Sequence, residues 1–159
     1  MAKLKLGMLS VGWEEDFNEI LFSLRKNKER LKNLRELTTS GKISSETFEA
    51  LYKKFETELL ESESKRQNLL EKLLTLQKDL QEELELLESE LKKLEVKLAY
   101  SLINEDHYEK VSTAFKYAIE EVSRELSSVS TAIEQLAREA PEVQEQVVNK
   151  ALKRLDESF

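Results

Sequence analysis

The chain has 159 residues, a net charge of −7 and a charged fraction of 36%, with three glycines, one proline and no cysteine. This composition is typical of long helices and coiled coils, and the lack of cysteine excludes disulfides and thiolate metal sites. The acidic balance argues against non-specific nucleic-acid binding by the surface as a whole. No stretch approaches the roughly 18 apolar residues that mark a membrane-spanning helix. We therefore expect an all-α, cytoplasmic protein with no cofactor.

Residues 1–12 form an N-terminal tail in which apolar residues alternate with lysines at first, as in a β-strand. Two interpretations stay open, because a single strand is not stable alone. The tail either adds a strand to the sheet edge of another protein or packs locally against the helices. Its glycines and the acids that follow make it a poor signal peptide.

A seven-residue hydrophobic repeat predicts a first helix from Trp13 to Thr38. The seam contains one polar residue, Asn27, and an asparagine at such a position fixes register at some cost in stability. The second half carries a basic stripe, whose members recur at 3-4-3 spacing on one face. The residues of this candidate anion-binding stripe are Arg25, Lys28, Lys32 and Arg35.

Two roles are open for the basic stripe. Its side chains can bind the phosphates of DNA or an anionic membrane surface. They can equally form a solvated face that pairs with acids of the next helix, such as Glu56, Glu58 and Glu61.

A second helix is predicted from Ser45 to Tyr100, with no glycine or proline inside it. A line of leucines from Leu73 to Leu98 forms its seam, and two consecutive four-residue steps around Leu80 mark a stutter. Nearer the start of this helix, Ser62 and Arg66 occupy seam positions, so the hydrophobic seam is weak there. At 1.5 Å per residue this helix is about 80 Å long, so we expect it to be the spine of the module.

A third helix is predicted from Glu105 to Glu139, and Pro141 then marks a kink or a new start. A fourth, amphipathic helix follows to Asp156, so we divide the chain into residues 1–12, 13–140 and 141–159. This last helix either completes a bundle with the first helix or binds a groove on a partner. The candidate partner-binding residues are Val143, Val147, Leu152, Leu155 and Phe159.

Two corners between the helices repeat the same pattern at an offset of sixty residues. Each has an N-cap residue preceded by isoleucine and followed four residues later by an aromatic, which is the hydrophobic-staple pairing. The repeat therefore predicts a helix corner used twice rather than a duplicated binding loop. The corner residues are Ile43, Ser44, Phe48, Ile103, Asn104 and Tyr108.

These helices predict an elongated antiparallel coiled coil, with helical hairpins around one long central helix. Such a chain leaves much of its apolar seam half covered, and a homodimer would bury it. Chemistry-bearing motifs are lacking: His107 is the only histidine, and no phosphate loop or nucleophile–base set is present. We expect a non-enzymatic protein with no metal site.

A long helix between two corners of the form Ile-x-x-x-x-(Phe/Tyr) resembles the helical domain of the CdvA family of archaeal cell-division proteins. The likeness rests on Ile43 with Phe48, on Ile103 with Tyr108 and on the hydrophobic lines that follow, and it covers roughly residues 20–140. Two features depart from the family pattern: the family has a small β-barrel before the helices, and it often has proline after the corner isoleucine.

The resemblance implies a scaffold that self-associates and recruits a protein partner of the ESCRT-III type in archaeal cell division. The alternative is an anionic-surface protein that binds DNA or a membrane through the basic stripe.

Overall fold

The computed structural model describes the backbone of residues 12–158 and the side chains of residues 12–139. This part of the chain forms three helices and no strand: α1 (Trp13–Thr39), α2 (Ser45–Ala99) and α3 (Glu105–Ser158). The all-α fold and its helical-hairpin arrangement are confirmed. The strand-like pattern in residues 1–11 lies outside the described residues.

The first two helices end within one residue of the predicted positions, whereas the third differs. Its backbone stays helical through Pro141, so no new helix starts there and the predicted fourth helix is the C-terminal part of α3. A proline removes one backbone donor and crowds the carbonyl four residues earlier. The flanking sequence, from Ala137 to Val143, consists mostly of good helix formers, and helical geometry persists on both sides.

Contacts divide the described chain into two compact units. The first, which we call the three-helix unit, comprises residues 12–72 and 134–158. The second, the two-helix unit, comprises residues 73–133.

The three-helix unit packs α1 antiparallel to α2. A guanidinium nitrogen of Arg30 lies 3.5 Å from Glu58, and Arg66 further along α2 contacts Leu136 of α3. Since α1 and α3 both run antiparallel to α2, they are parallel to each other. Leucine and isoleucine of the seven-residue repeat fill the space between them. The buried apolar side chains of this unit are Ile20, Leu21, Leu24, Leu31, Leu34, Leu59, Leu69 and Leu136.

The two-helix unit is an antiparallel hairpin of α2 and α3, tied across by a 3.0 Å hydrogen bond from Gln77 Nε2 to Ser130 Oγ. Its buried apolar side chains are Leu73, Leu76, Leu80, Leu94, Ala118, Val122, Val129 and Ala132. Many other seam residues remain only half-buried, because two helices cover no more than one side of each other. These half-buried residues are Leu84, Leu87, Leu91, Leu98, Val111, Phe115, Ile119 and Leu126.

Candidate functional site

The basic stripe on α1 is divided by a contact to α3. Lys28 Nζ donates to Glu139 Oε2 at 2.8 Å, and Arg25 Nε lies 3.7 Å from Glu139 Oε1. The Lys28 and Glu139 side chains are only 18% and 19% exposed, so this pair is a packed contact within the three-helix unit. Half of the stripe is therefore engaged inside the chain.

The other half of the stripe faces solvent. Lys32 and Arg35 are exposed, and neither forms an ion pair among the described residues. Next to them, Arg30 pairs with Glu58 and lies 5.5 Å from the centroid of the Phe55 ring. In the described contacts, Arg30, which is not in the stripe, pairs with an acid of α2, while Arg25 and Lys28 of the stripe pair with Glu139 of α3. Sequence reasoning missed Glu139 because it depends on α1 and the end of α3 lying side by side.

A buried ion pair lies within the three-helix unit. Arg66 is 2% exposed, and its Nε and Nη2 donate to the two Glu63 carboxylate oxygens at 2.8 and 2.6 Å. Its Nη1 donates to the Leu136 carbonyl oxygen at 3.2 Å, which joins α2 to the backbone of α3. A further bond from Gln67 Nε2 reaches Glu63 at 3.3 Å. Every guanidinium nitrogen is therefore satisfied, as burial of a charge requires.

Two more polar side chains are buried close to this pair. Asn27 is 4% exposed and Ser62 is 7% exposed. The contact between Arg30 and Glu58 fixes the register of α1 against α2. Because the two helices are antiparallel, Asn27, one turn before Arg30, is level with Ser62, one turn after Glu58. Asn27 Oδ1 has no hydrogen-bond partner among the described atoms. We call Asn27, Ser62, Glu63 and Arg66 the polar layer.

The two predicted corners have the same backbone hydrogen bonds. At the first, the Lys42 N–H donates to the Leu37 carbonyl at 3.0 Å and the Gly41 N–H to the Thr38 carbonyl at 3.1 Å. Sixty residues later, the Leu102 and Ser101 amides repeat this pair of bonds at 2.9 and 3.0 Å. Both are Schellman motifs, in which the residue after the helix is left-handed. Gly41 has φ 73°, and Ser101 has φ 58° although it is not glycine.

The helices after the corners begin with a side-chain cap. Ser44 Oγ accepts from the Thr47 N–H at 3.2 Å, and Asn104 Oδ1 accepts from the His107 N–H at 2.7 Å. Each bond satisfies one of the free amides of the first helical turn. The isoleucine and aromatic of each predicted staple are half-buried; these residues are Ile43, Phe48, Ile103 and Tyr108.

The predicted partner-binding residues belong to the end of α3. The backbone of Val143, Val147, Leu152 and Leu155 is helical, while their side chains and the whole of Phe159 lie outside the described residues. Their role in binding stays a prediction.

The described side chains contain no group of three or more His, Asp or Glu residues that could hold a metal ion. In the same part of the chain, none of the helices has the length and apolarity needed to cross a membrane.

Helical hairpins with a half-covered seam and a buried polar layer define a coiled-coil module of the scaffold type. Residues 12–157 match the family model of the CdvA-like coiled-coil domain, and the chain belongs to that family. No curated protein and no solved structure matches it. The predicted resemblance to the CdvA helical domain is confirmed, and membership indicates a helical scaffold related to cell division.

Proposed function

We propose that this chain is a non-enzymatic scaffold that self-associates as a homodimer and recruits a protein partner of the ESCRT-III type during archaeal cell division, in the cytoplasm. The observation that carries the proposal is the half-buried seam of the two-helix unit. Leu84, Leu87 and Leu91 follow one another along α2, and each is only partly covered by α3.

Burial of this seam supplies the driving force for association. Removing apolar surface from water contributes about 25 cal/mol per Å². A second hairpin laid on the first would convert two helices into a four-helix arrangement, in which coiled-coil seams are normally closed. Two-fold symmetric dimers are the commonest homo-oligomers of soluble proteins.

The mass of the protein in solution tests the self-association. One chain has a mass of 18.5 kDa, so we expect light scattering at micromolar concentration to give twice that value. Leu87→Lys places a charge on the half-buried seam and is expected to lower the dimer fraction. Ser89→Lys adds the same charge at an exposed position and is the control. Circular dichroism would check that both variants remain helical, and a wild-type mass of one chain would refute the homodimer.

Recruitment of a partner is tested separately. We expect the full chain to retrieve an ESCRT-III-like protein from its native host, and deletion of residues 141–159 to reduce the yield. Retrieval of the same protein at equal yield by both forms would place the binding surface elsewhere. Failure of the full chain to retrieve any such protein would count against recruitment itself.

Binding of an anionic surface is the second candidate, and the exposure of Lys32 and Arg35 favours it. These two cations are available to phosphates, whereas Arg25 and Lys28 share Glu139. Charge reversal of the exposed pair, Lys32→Glu with Arg35→Glu, should abolish salt-sensitive binding to DNA or anionic vesicles. Binding unchanged by this reversal would eliminate the stripe as the contact.

A further inference from the structure

The charges of the two-helix unit are unevenly distributed along its length. The hydrogen bond from Gln77 to Ser130 sets the register of the antiparallel hairpin, which places Glu90 of α2 about level with Tyr117 of α3. A boundary at this level divides the unit into two halves, one of which contains the turn between α2 and α3. We call residues 91–116 the corner half, and residues 73–90 with 117–133 the acidic half.

Acids outnumber bases in one of these halves only. The acidic half has nine Asp and Glu against two Lys and Arg, a net charge of −7, whereas the corner half has four acids against five lysines, a net charge of +1 with its histidine neutral. None of these charged side chains is buried. The acids of the acidic half are Asp79, Glu82, Glu83, Glu85, Glu88, Glu90, Glu120, Glu121 and Glu125, and the lysines of the corner half are Lys92, Lys93, Lys97, Lys110 and Lys116.

Neither the helix dipoles nor the ion pairs within each helix cancel this division. The dipoles of α2 and α3 oppose each other along the whole unit, because the two helices are antiparallel. The pairs of Lys93 with Glu90 and of Arg124 with Glu121 are exposed on both sides, so each contributes little. The side-chain charges therefore set the electrostatic field along the unit.

The half-buried seam runs through both halves, with Leu84 and Leu87 in the acidic half and Leu91 and Leu98 in the corner half. A second hairpin can cover this seam in a parallel or an antiparallel orientation. The parallel orientation lays one acidic half along the other, and like charges that meet across an interface are strongly unfavourable. The antiparallel orientation lays each acidic half along the lysines of a corner half. The seam accepts both orientations, and the charges favour the second.

We propose that the seam dimer is antiparallel, with a two-fold axis that crosses the helices at the boundary between the two halves. The occupant of the seam is thus a second copy of this chain, and the inference rests on the proposed self-association and adds its orientation. Each contact of a two-fold dimer occurs twice. Lys93 of one copy is then level with Glu88 of the other, and Lys116 is level with Glu90 in the same way.

Cysteine cross-linking measures the orientation directly, because the natural chain has no cysteine. Gln81 and Ala99 are exposed, lie five helical turns apart on one face of α2 and are almost equally far from the boundary. An antiparallel dimer therefore places Gln81→Cys of one copy level with Ala99→Cys of the other. At a rise of 1.5 Å per residue, two copies of residue 99 are about 25 Å apart along the helices. A short bismaleimide does not span that distance.

The two cysteine variants of the full chain, one of them with a size tag, are unfolded together, refolded and cross-linked. We expect the mixed covalent dimer to form several-fold faster than either self-dimer. Each self-dimer serves as the control for random collision, because it joins equally exposed cysteines. Self-dimers of both variants without the mixed product would show a parallel dimer and overturn the proposal. Equal rates for all three products would overturn it as well.

Charge reversal gives opposite signs for the two orientations. Glu85→Lys with Glu88→Lys brings lysines against the partner's corner half in the antiparallel dimer, so we expect the Kd of the dimer to rise several-fold in sedimentation equilibrium. In a parallel dimer the same change relieves repulsion and lowers the Kd. Addition of Lys93→Glu and Lys97→Glu returns the net charge to the wild-type value and should restore the Kd. An unchanged or lowered Kd for the first variant, or no recovery in the second, would overturn the proposal.

The failure of this inference is distinguishable from failure of the proposed self-association. A dimeric wild type with self-dimer cross-links at both positions refutes the orientation alone. A dimeric wild type that gives no cross-link above random collision is held by another surface, which refutes the orientation and the seam as its contact. A wild type with the mass of one chain refutes the self-association, and the orientation with it.

Discussion

Replacement of Arg66 by methionine should be among the most damaging single changes in the three-helix unit. The variant keeps an unbranched, shorter apolar side chain but leaves the Glu63 carboxylate buried without its two charged hydrogen bonds, at 2.8 and 2.6 Å. It also removes the bond to the Leu136 carbonyl. Breaking one side of a buried ion pair typically costs about 3–5 kcal/mol, and we expect a loss of unfolding free energy in that range.

The double variant Glu63→Leu with Arg66→Met separates burial of an unpaired charge from loss of packing. With both charges gone, no desolvated carboxylate remains, and apolar replacements of buried pairs are often neutral or stabilising by about 1–4 kcal/mol. We therefore expect the second substitution to restore most or all of what Arg66→Met removes. Urea unfolding followed by circular dichroism would give the unfolding free energies of the wild type, the two single variants and the double variant.

An exposed pair with the same sequence spacing provides the control. Arg124 Nη1 lies 3.1 Å from Glu121 Oε1, also three residues earlier, but the two side chains are 67% and 44% exposed. Arg124→Met should cost no more than about 1 kcal/mol, because solvent screens such pairs. A cost for Arg66→Met as small as that for Arg124→Met would refute the reasoning, and so would a double variant no more stable than the single one.

Three further outcomes are expected. Asn27→Leu should raise the unfolding free energy by about 1–3 kcal/mol, because it removes a buried acceptor without a partner; no gain in urea unfolding would show that Oδ1 is satisfied. Ser101→Gly should stabilise the fold by about 1 kcal/mol and Gly41→Ala should destabilise it by a similar amount, because both residues have the left-handed backbone that favours glycine. A Cβ at Gly41 meets no atom within 4 Å, so the loss there comes from the backbone conformation and not from a clash. Thermal unfolding with opposite shifts for the two variants would support this, and shifts of one sign would contradict it. Glu139→Gln should weaken the contact between α1 and α3 and so speed hydrogen exchange of the α3 amides near residue 139. Exchange identical to that of the wild type would mean that the ion pairs with Arg25 and Lys28 do not stabilise this part of α3.

The sequence predicted local features of this fold well, because their causes are local. Each hydrogen bond of the corners joins residues no more than five positions apart, and the caps at Ser44 and Asn104 follow from short side chains placed before a helical pattern. The bounds of α1 and α2 follow in the same way from the seven-residue repeat and from its interruption.

The side-chain contacts between residues far apart in the sequence were not predictable in this way. The contact of Lys28 with Glu139 joins residues 111 positions apart, and the bond from Arg66 to Leu136 joins residues 70 apart. The pattern showed Arg66 only as an interruption of the seam, although Glu63 three residues earlier was a signal for a helical ion pair. At Pro141 the backbone continues as one helix rather than starting a new one, since proline lowers helix stability without obliging the backbone to leave the helix.

The polar first corner has a practical consequence for measurements on this protein. Its turn is held by main-chain hydrogen bonds, the side chains of Glu36, Ser40 and Lys42 are exposed, and Lys42 takes part in the turn through its backbone amide. A fluorophore on Lys42→Cys would therefore report on assembly in solution or in cells with little effect on folding.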